Sequence, residues 1–251
     1  MSHRFLTALP VYNEVDHIGD VLDAVARYSD HVLVVDDGST DGTGQLIDAR
    51  RDIQSITHPE NRGYGAALQT AFDYAVDQKY DVLVTIDCDG QHEPQRIPQF
   101  VEACAQADIV SGSRYLQSFS GDSAPPAQRQ QINVKLTEEL NRRLGLQLTD
   151  AFCGFKAYRV RALTKLTVTE TGYAMPLELW VRAAHHGLRV IELPVPLIYL
   201  DEERSFGGAL DDAQARLAYY HQVLDKVIGA ISQDTAHVRA RGQSGQGVRQ
   251  C

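Results

Sequence analysis

Five apolar, β-prone runs, Phe5–Leu9, Val32–Val35, Ile53–Thr57, Val82–Ile86 and Ile109–Val110, alternate with helical stretches near Glu14–Arg27, Thr43–Arg51, Gly65–Val76 and Pro94–Ala105. Short apolar runs bounded by turn signals read as buried strands, and strands separated by helices pair in parallel through right-handed crossovers. In Gly65–Val76, Ala67, Leu68, Ala71, Phe72, Ala75 and Val76 share one stripe, the pattern of a helix packed on a core. The expected fold class is α/β, with a mainly parallel central sheet and helices on both faces.

After Arg114 the rhythm changes. Leu116–Ala127, rich in Ser, Gly and Pro, is expected to be a mobile loop over a site. A helix follows over Gln128–Leu144, stopped by Gly145. Phe155–Tyr158 and Arg189–Glu192 read as further strands around a helix at Pro176–His186, and Pro194-Val195-Pro196 as an extended edge. Leu217, Tyr220, Val223, Leu224, Val227 and Ile231 recur at helical spacing over Leu210–Ile231. That helix packs on its own domain or docks on a membrane or partner. The polar, Gly/Gln/Arg-rich segment Ser232–Cys251 is expected to be disordered. One domain over residues 1–231 accounts for the pattern, and 251 residues suffice for its core.

A hydrophobic content of 43% and a charged content of 23% place the chain among soluble globular proteins. A net charge of −9 argues against nucleic acid or an anionic membrane as a general partner. The four cysteines show no Cys-x-x-Cys spacing, so neither zinc nor a disulfide framework is expected, and a reducing cytoplasm is the natural compartment. No run approaches the ~20 apolar residues of a membrane span. The expectation is a soluble protein, peripheral at a membrane at most.

Chemistry concentrates where strands end. Asp87-Cys88-Asp89-Gly90-Gln91 follows Val82–Ile86, and in an open α/β sheet ligands bind at that end of the strands. Paired carboxylates on a rigid strand end suit Mg2+ or Mn2+ carrying a substrate phosphate, although such a turn also caps a helix. A second cluster, Asp36-Asp37-Gly38-Ser39-Thr40-Asp41, follows Val32–Val35. Asp36 or Asp37 there can accept hydrogen bonds from a base or ribose, and Asp41 suits the start of the next helix. At the first strand's end, Pro10-Val11-Tyr12-Asn13-Glu14 offers a ring to stack on a base and a carboxylate for ribose hydroxyls; Glu14 equally favours a helix N-terminus. Asn61–Ala67 is Gly-rich but lacks both the dinucleotide fingerprint and the Walker lysine. His92 is expected to cap or lie on the surface, and Cys88 and Cys153 to be small packing residues.

Together these motifs resemble the family 2 glycosyltransferases of the GT-A fold. The resemblance runs through Pro10-x-Tyr12-Asn13-Glu14, Asp36-Asp37-Gly38-Ser39-x-Asp41-Gly42-Thr43, Asn61-x-Gly63-x-Gly65-x-Ala67 and Asp87-x-Asp89-Gly90-Gln91-His92. It covers about residues 5–205. Gly112-Ser113-Arg114-Tyr115, Asp150-x-x-Cys153-Gly154-Phe155 and Glu192-x-Pro194 are similar to the branch of polyprenyl-phosphate mannosyl- and glucosyltransferases, including dolichol-phosphate mannosyltransferase. The resemblance implies a GT-A nucleotide-diphospho-sugar transferase fold, a GDP- or UDP-hexose donor, inverting transfer of mannose or glucose, and Mg2+ or Mn2+ held by Asp87, Asp89 and Gln91. It also implies a nucleotide-binding half over residues 1–114 and an acceptor half over 115–231. The candidate donor-binding set is Pro10, Tyr12, Glu14, Asp36, Asp37, Asp87 and Cys88, and the candidate catalytic set is Asp89, Asp150 and Arg114.

The acceptor decides what else the site needs. A sugar hydroxyl must lose a proton, for which Asp150 is the candidate base. A polyprenyl phosphate is already an anion and calls for Arg114, Arg129 and Arg204. The branch carries Arg-x-x-Gly-x-Ser-Lys where this chain reads Arg204-Ser205-Phe206-Gly207-Gly208-Ala209-Leu210, so the Ser-Lys pair is replaced. Many relatives also carry C-terminal membrane helices, which this chain lacks. Polyprenyl phosphate is the favoured acceptor, met at a membrane surface or through a membrane partner. The alternatives are a soluble glycan or small-molecule hydroxyl, or a catalytically idle nucleotide-sugar-binding scaffold.

Overall fold

The computed structural model describes residues 3–200 and 208–244, with 234–244 described for backbone alone. Strands β1 (Phe5–Val11), β2 (Val32–Asp36), β3 (Gln54–Thr57), β4 (Val82–Thr85), β5 (Ile109–Ser113), β6 (Lys156–Arg159) and β7 (Val190–Pro194) form one seven-stranded sheet in the order β3-β2-β1-β4-β6-β5-β7. All neighbours run parallel except β6, which is antiparallel to both β4 and β5. The expected mainly parallel α/β sheet is what forms, and the Pro194 strand is its edge.

Parallel pairing carries the C-terminal ends of β1, β2 and β4 to one edge of the sheet, in registers that set Val11 opposite Asp36 and Ala8 opposite Thr85. The reversed β6 then matters for the site. Its first residue, Lys156, lies opposite both Thr85 and Ser111, so the loop preceding it, residues 150–155, enters at that same edge. Trp180, fully buried, donates from Nε1 to the Ala151 carbonyl at 2.9 Å and pins this loop from beneath.

Period-two alternation splits the strand residues between two cores. Leu6, Ala8, Leu33, Val35 and Leu83 pack under α3 (Tyr64–Asp77), α5 (Ala127–Leu144), α7 (Met175–His185) and α8 (Ala213–Ser244). Leu9, Val34, Val82, Val84 and Phe155 pack against α1 (Ile18–Val25), α2 (Thr43–Asp48) and α4 (Ile97–Ala103). The short α6 (Val160–Leu163), directly after β6, has no counterpart in the sequence reading.

Two expectations change. Helix α8 does not stop at Ile231 but continues to Ser244, through part of the segment whose composition suggests disorder; residues 245–251 lie outside the described residues. The expected mobile loop after Arg114 is irregular but tied down. Ser123 N donates to the Leu197 carbonyl at 2.7 Å, Leu197 N to Asp122 Oδ1 at 2.9 Å, and Tyr199 N to Ser123 Oγ at 3.1 Å.

Candidate active site

The turn after β1 is built from residues that answer one another across the sheet edge. Asn13 adopts φ 55°, a left-handed conformation that Asn tolerates. Its N–H donates to Ser39 Oγ and its Oδ1 accepts from Thr40 N, while Glu14 N donates to Thr43 Oγ1. Tyr12 is left 43% exposed at the mouth of a cavity of about 550 Å³, and Pro10 and Glu14 line the same cavity.

The two aspartates after β2 separate. Asp36 is buried and accepts from Ser39 N at 2.9 Å, closing its own turn outside the cavity lining. Asp37 does line the cavity. Its Oδ1 faces His58 Nδ1 at 2.6 Å and accepts from Arg62 N at 3.0 Å, while Oδ2 accepts from Gly63 N at 2.7 Å. One carboxylate thus fixes the Gly-rich turn that starts α3. Gly63 there has φ 102°, and a Cβ on it would fall 2.4 Å from the Thr171 carbonyl oxygen, so glycine is required for both reasons.

Asp87, Cys88, Asp89 and Gln91 all line the cavity. Asp87 Oδ1 accepts from the Tyr64 hydroxyl at 3.0 Å, and Oδ2 lies 3.5 Å from His92 Nε2. Partial burial pushes the Asp87 carboxyl up, but His92, the Tyr64 hydroxyl and Lys156 together outweigh it and hold the group below its ordinary range. The His92 side chain is only 6% exposed and lies against Phe155, so it is neither a surface group nor a helix cap. Asp89 Oδ1 accepts from Gln91 N at 3.0 Å. Among the described residues no three His, Cys, Asp or Glu side chains are grouped to hold a metal by themselves. Two carboxylates at a cavity wall nevertheless suit Mg2+ or Mn2+, whose remaining positions go to water and substrate phosphate. Asp87 and Asp89 are therefore a fitting pair of protein ligands, with Gln91 beside them.

Asp150, the candidate base, is fully buried and does not line the cavity. Its oxygens accept from Arg114 Nε (2.7 Å), Arg114 Nη2 (3.0 Å), Asn133 Nδ2 (2.8 Å) and Phe152 N (3.1 Å). Burial raises its carboxyl, yet the Arg114 charge and these bonds drive it far below the ordinary carboxylate range. Held in this way, the Asp150 carboxylate fixes the orientation of the Arg114 guanidinium. Glu192 supports this arrangement by accepting from Thr149 N, Thr149 Oγ1 and Asp150 N. Arg114 itself lines the cavity, as does Arg129, whose Nη1 donates to the Tyr199 hydroxyl. Arg204 lies outside the described residues.

The cavity has walls that the sequence reading did not single out. Tyr173 stacks on Tyr64 at 5.9 Å and Phe152 on Tyr220 at 5.3 Å; with Ile132, Pro176 and Leu197 they make an apolar flank beside the arginines. Arg216 of α8 lines the cavity as well. Apart from Tyr64, which opens α3, these residues come from α5, α7, α8 and the loops beside them, joined only by tertiary packing. The one available signal was Arg216, a charge on the apolar stripe of α8.

The family described as Glycosyl transferase family 2 matches residues 7–167 of the chain. An undecaprenyl-phosphate mannosyltransferase of Micrococcus luteus is 35% identical over 223 residues, spanning 84% of this chain and 90% of that protein. A polyprenol monophosphomannose synthase of Mycolicibacterium smegmatis is 34% identical over 206 residues, 77% of each. Among solved structures, glucosyl-3-phosphoglycerate synthase from Mycobacterium tuberculosis, in complex with Mn2+, uridine diphosphate and phosphoglyceric acid, superposes with a TM-score of 0.68 at 19% identity. That match covers 91% of this chain and 79% of the other.

Proposed function

The chain belongs to the family 2 glycosyl transferases, and on that premise we propose that it moves a hexose from a nucleotide-diphospho-sugar to a polyprenyl phosphate. Relatives at 35% and 34% identity bear the names of enzymes with such acceptors. The observation that carries the reading is one cavity lined by Tyr12, Glu14, Asp37, Asp87 and Asp89 and also by Arg114 and Arg129. Acidic groups belong with a metal-bound diphosphate donor, arginines with a phosphate acceptor.

In this reading Tyr12, Glu14 and Asp37 bind the nucleoside, and Asp87 and Asp89, with Gln91 adjacent, hold Mg2+ or Mn2+ at the diphosphate. When bound, such an ion supplies Lewis-acid stabilisation of the charge that builds on the departing diphosphate. Arg114 is held rigidly by Asp150, and Arg129 by Tyr199, so both guanidiniums are oriented before the acceptor arrives. A phosphate monoester is an anion at neutral pH and attacks the anomeric carbon without surrendering a proton. The burial of Asp150 supports that acceptor over a sugar hydroxyl, which would need a base. A single displacement inverts the anomeric centre.

No helix of the described residues is long and apolar enough to cross a membrane. The acceptor's isoprenoid tail resides in a bilayer, so the encounter takes place at a membrane surface or with a membrane partner. The test incubates the protein with labelled GDP-mannose or UDP-glucose, Mn2+ and undecaprenyl phosphate. Label should enter the organic phase with one donor. Nucleotide binding without transfer from any donor would reduce the protein to a scaffold.

A further inference from the structure

We propose that Arg216, delivered by α8, binds the acceptor's phosphate together with Arg114 and Arg129. The inference rests on the phosphate-acceptor reading above and names a residue to which that reading gives no part.

Arg216 occupies an unusual position. Tyr220, Val223, Leu224 and Val227 follow it at helical spacing, all buried, so Arg216 lies on the apolar stripe by which α8 packs against α7 and α5. Its side chain is only 4% exposed. A guanidinium carried into such a place costs free energy unless hydrogen bonds and counter-charge await it. Leucine or methionine would satisfy packing alone, so the arginine calls for a chemical reason.

The geometry supplies one. Arg216 reaches the wall of the same cavity as Arg114 and Arg129, each from a different element: the end of β5, α5 and α8. Arg216 Nη1 donates to the Leu210 carbonyl at 2.7 Å, which fixes where its head group lies. Phenols line the cavity with the arginines. Arg129 donates to Tyr199, and Tyr220 is stacked on Phe152. Burial pushes the Tyr220 hydroxyl up to about 12, against which Arg216 and Arg129 both pull downward.

A phosphate monoester presents three terminal oxygens and up to two negative charges, a match for several planar, bidentate donors. Ile132, Phe152, Pro176 and Leu197 line the same cavity, so an ester with an apolar tail meets both chemistries. A free phosphate ester would use the arginines alone, which separates the two sources experimentally.

The experiment titrates citronellyl phosphate, inorganic phosphate and citronellol into the full chain by calorimetry, for wild type, Arg216→Gln and Arg216→Lys. Loss of a charge-assisted contact predicts a roughly 10- to 100-fold weaker affinity for citronellyl phosphate in Arg216→Gln, partly restored in Arg216→Lys, with nucleotide-sugar affinity unchanged. Tighter binding of citronellyl phosphate than of inorganic phosphate assigns the lipid ester; equal binding assigns a free phosphate. Unchanged phosphate affinity in Arg216→Gln, or an equal loss of donor and acceptor binding, overturns the proposal in favour of a structural tether. Crystals of the wild-type chain with citronellyl phosphate make the test independent of variant folding. A phosphate oxygen within about 3.2 Å of Arg216 is expected, and a phosphate seated on Arg114 and Arg129 alone overturns the assignment. A wild type that binds citronellyl phosphate yet never glycosylates it refutes the catalytic reading and leaves Arg216 as an anion-binding residue.

Discussion

Arg114 and Asp150 meet through two prongs, Nε to Oδ2 at 2.7 Å and Nη2 to Oδ1 at 3.0 Å, with the carboxylate wholly buried and the guanidinium at the cavity wall. Fixing an arginine this way removes the rotamer freedom it would otherwise lose when a phosphate binds. The pair therefore bears on stability and, in the function proposed above, on acceptor binding.

Replacing one member exposes the stability component. Asp150→Asn keeps the shape but leaves a partly buried guanidinium without its counter-charge. Breaking such a pair costs about 3 kcal/mol, a fall in Tm of roughly 6–12 °C for a chain of this size. Thermal denaturation monitored by circular dichroism measures it. A change under about 2 °C, well below what that cost predicts, would mean that the pair contributes little to the folded state.

The same carboxylate makes stability depend on pH in a definite direction. Its folded-state pKa lies below the ordinary 3.8, so its contribution is fully present above about pH 4 and is lost as pH falls toward the folded value. The Tm difference between wild type and Asp150→Asn should therefore be flat from neutral pH down to about 5 and narrow at lower pH. Paired melting curves across that range check the sign; a gap that widens on acidification contradicts it.

Gly154→Ala probes the acidic end. A Cβ at position 154 would lie 1.9 Å from Asp87 Oδ2, so the Asp87 carboxylate must move away from its bond with Tyr64. Displacing a metal ligand or its support typically weakens metal affinity by about 10- to 100-fold. Nucleotide-sugar titrations with Mn2+ should show that loss, while titrations without metal change far less. Equal affinities in Mn2+ for variant and wild type would remove Asp87 from the metal site.

The acidic edge was legible because parallel strands deliver their C-terminal ends to one side; three short local patterns sufficed to bring Tyr12, Glu14, Asp37, Asp87 and Asp89 to one cavity. What the pattern could not resolve was which of two adjacent aspartates faces it. Asp36 turns back to Ser39 while Asp37 braces Gly63, a distinction set by backbone geometry. The ion pair of Asp150 with Arg114 was not legible because it spans 36 residues and depends on β6 running against its neighbours. Nothing in apolar periodicity announces strand order. Arg216, Tyr173 and Phe152 were overlooked for the same reason, since only the packing of α5, α7 and α8 gathers them. The helix beyond Ile231 was missed because a polar stretch without an apolar stripe gives no periodicity to read.

The central claim is that one cavity joins a metal-bound nucleotide sugar to a phosphate anion, and mass spectrometry of the product tests it most directly. The protein is supplied with a nucleotide-hexose, Mn2+ and a matched pair of acceptors, undecaprenyl phosphate and undecaprenol, alongside Asp89→Ala. The account predicts undecaprenyl phosphohexose from the wild type, no glycosylated undecaprenol, and neither product from Asp89→Ala. Hexose transferred equally to the phosphate-free alcohol, or undiminished turnover by Asp89→Ala, would contradict it.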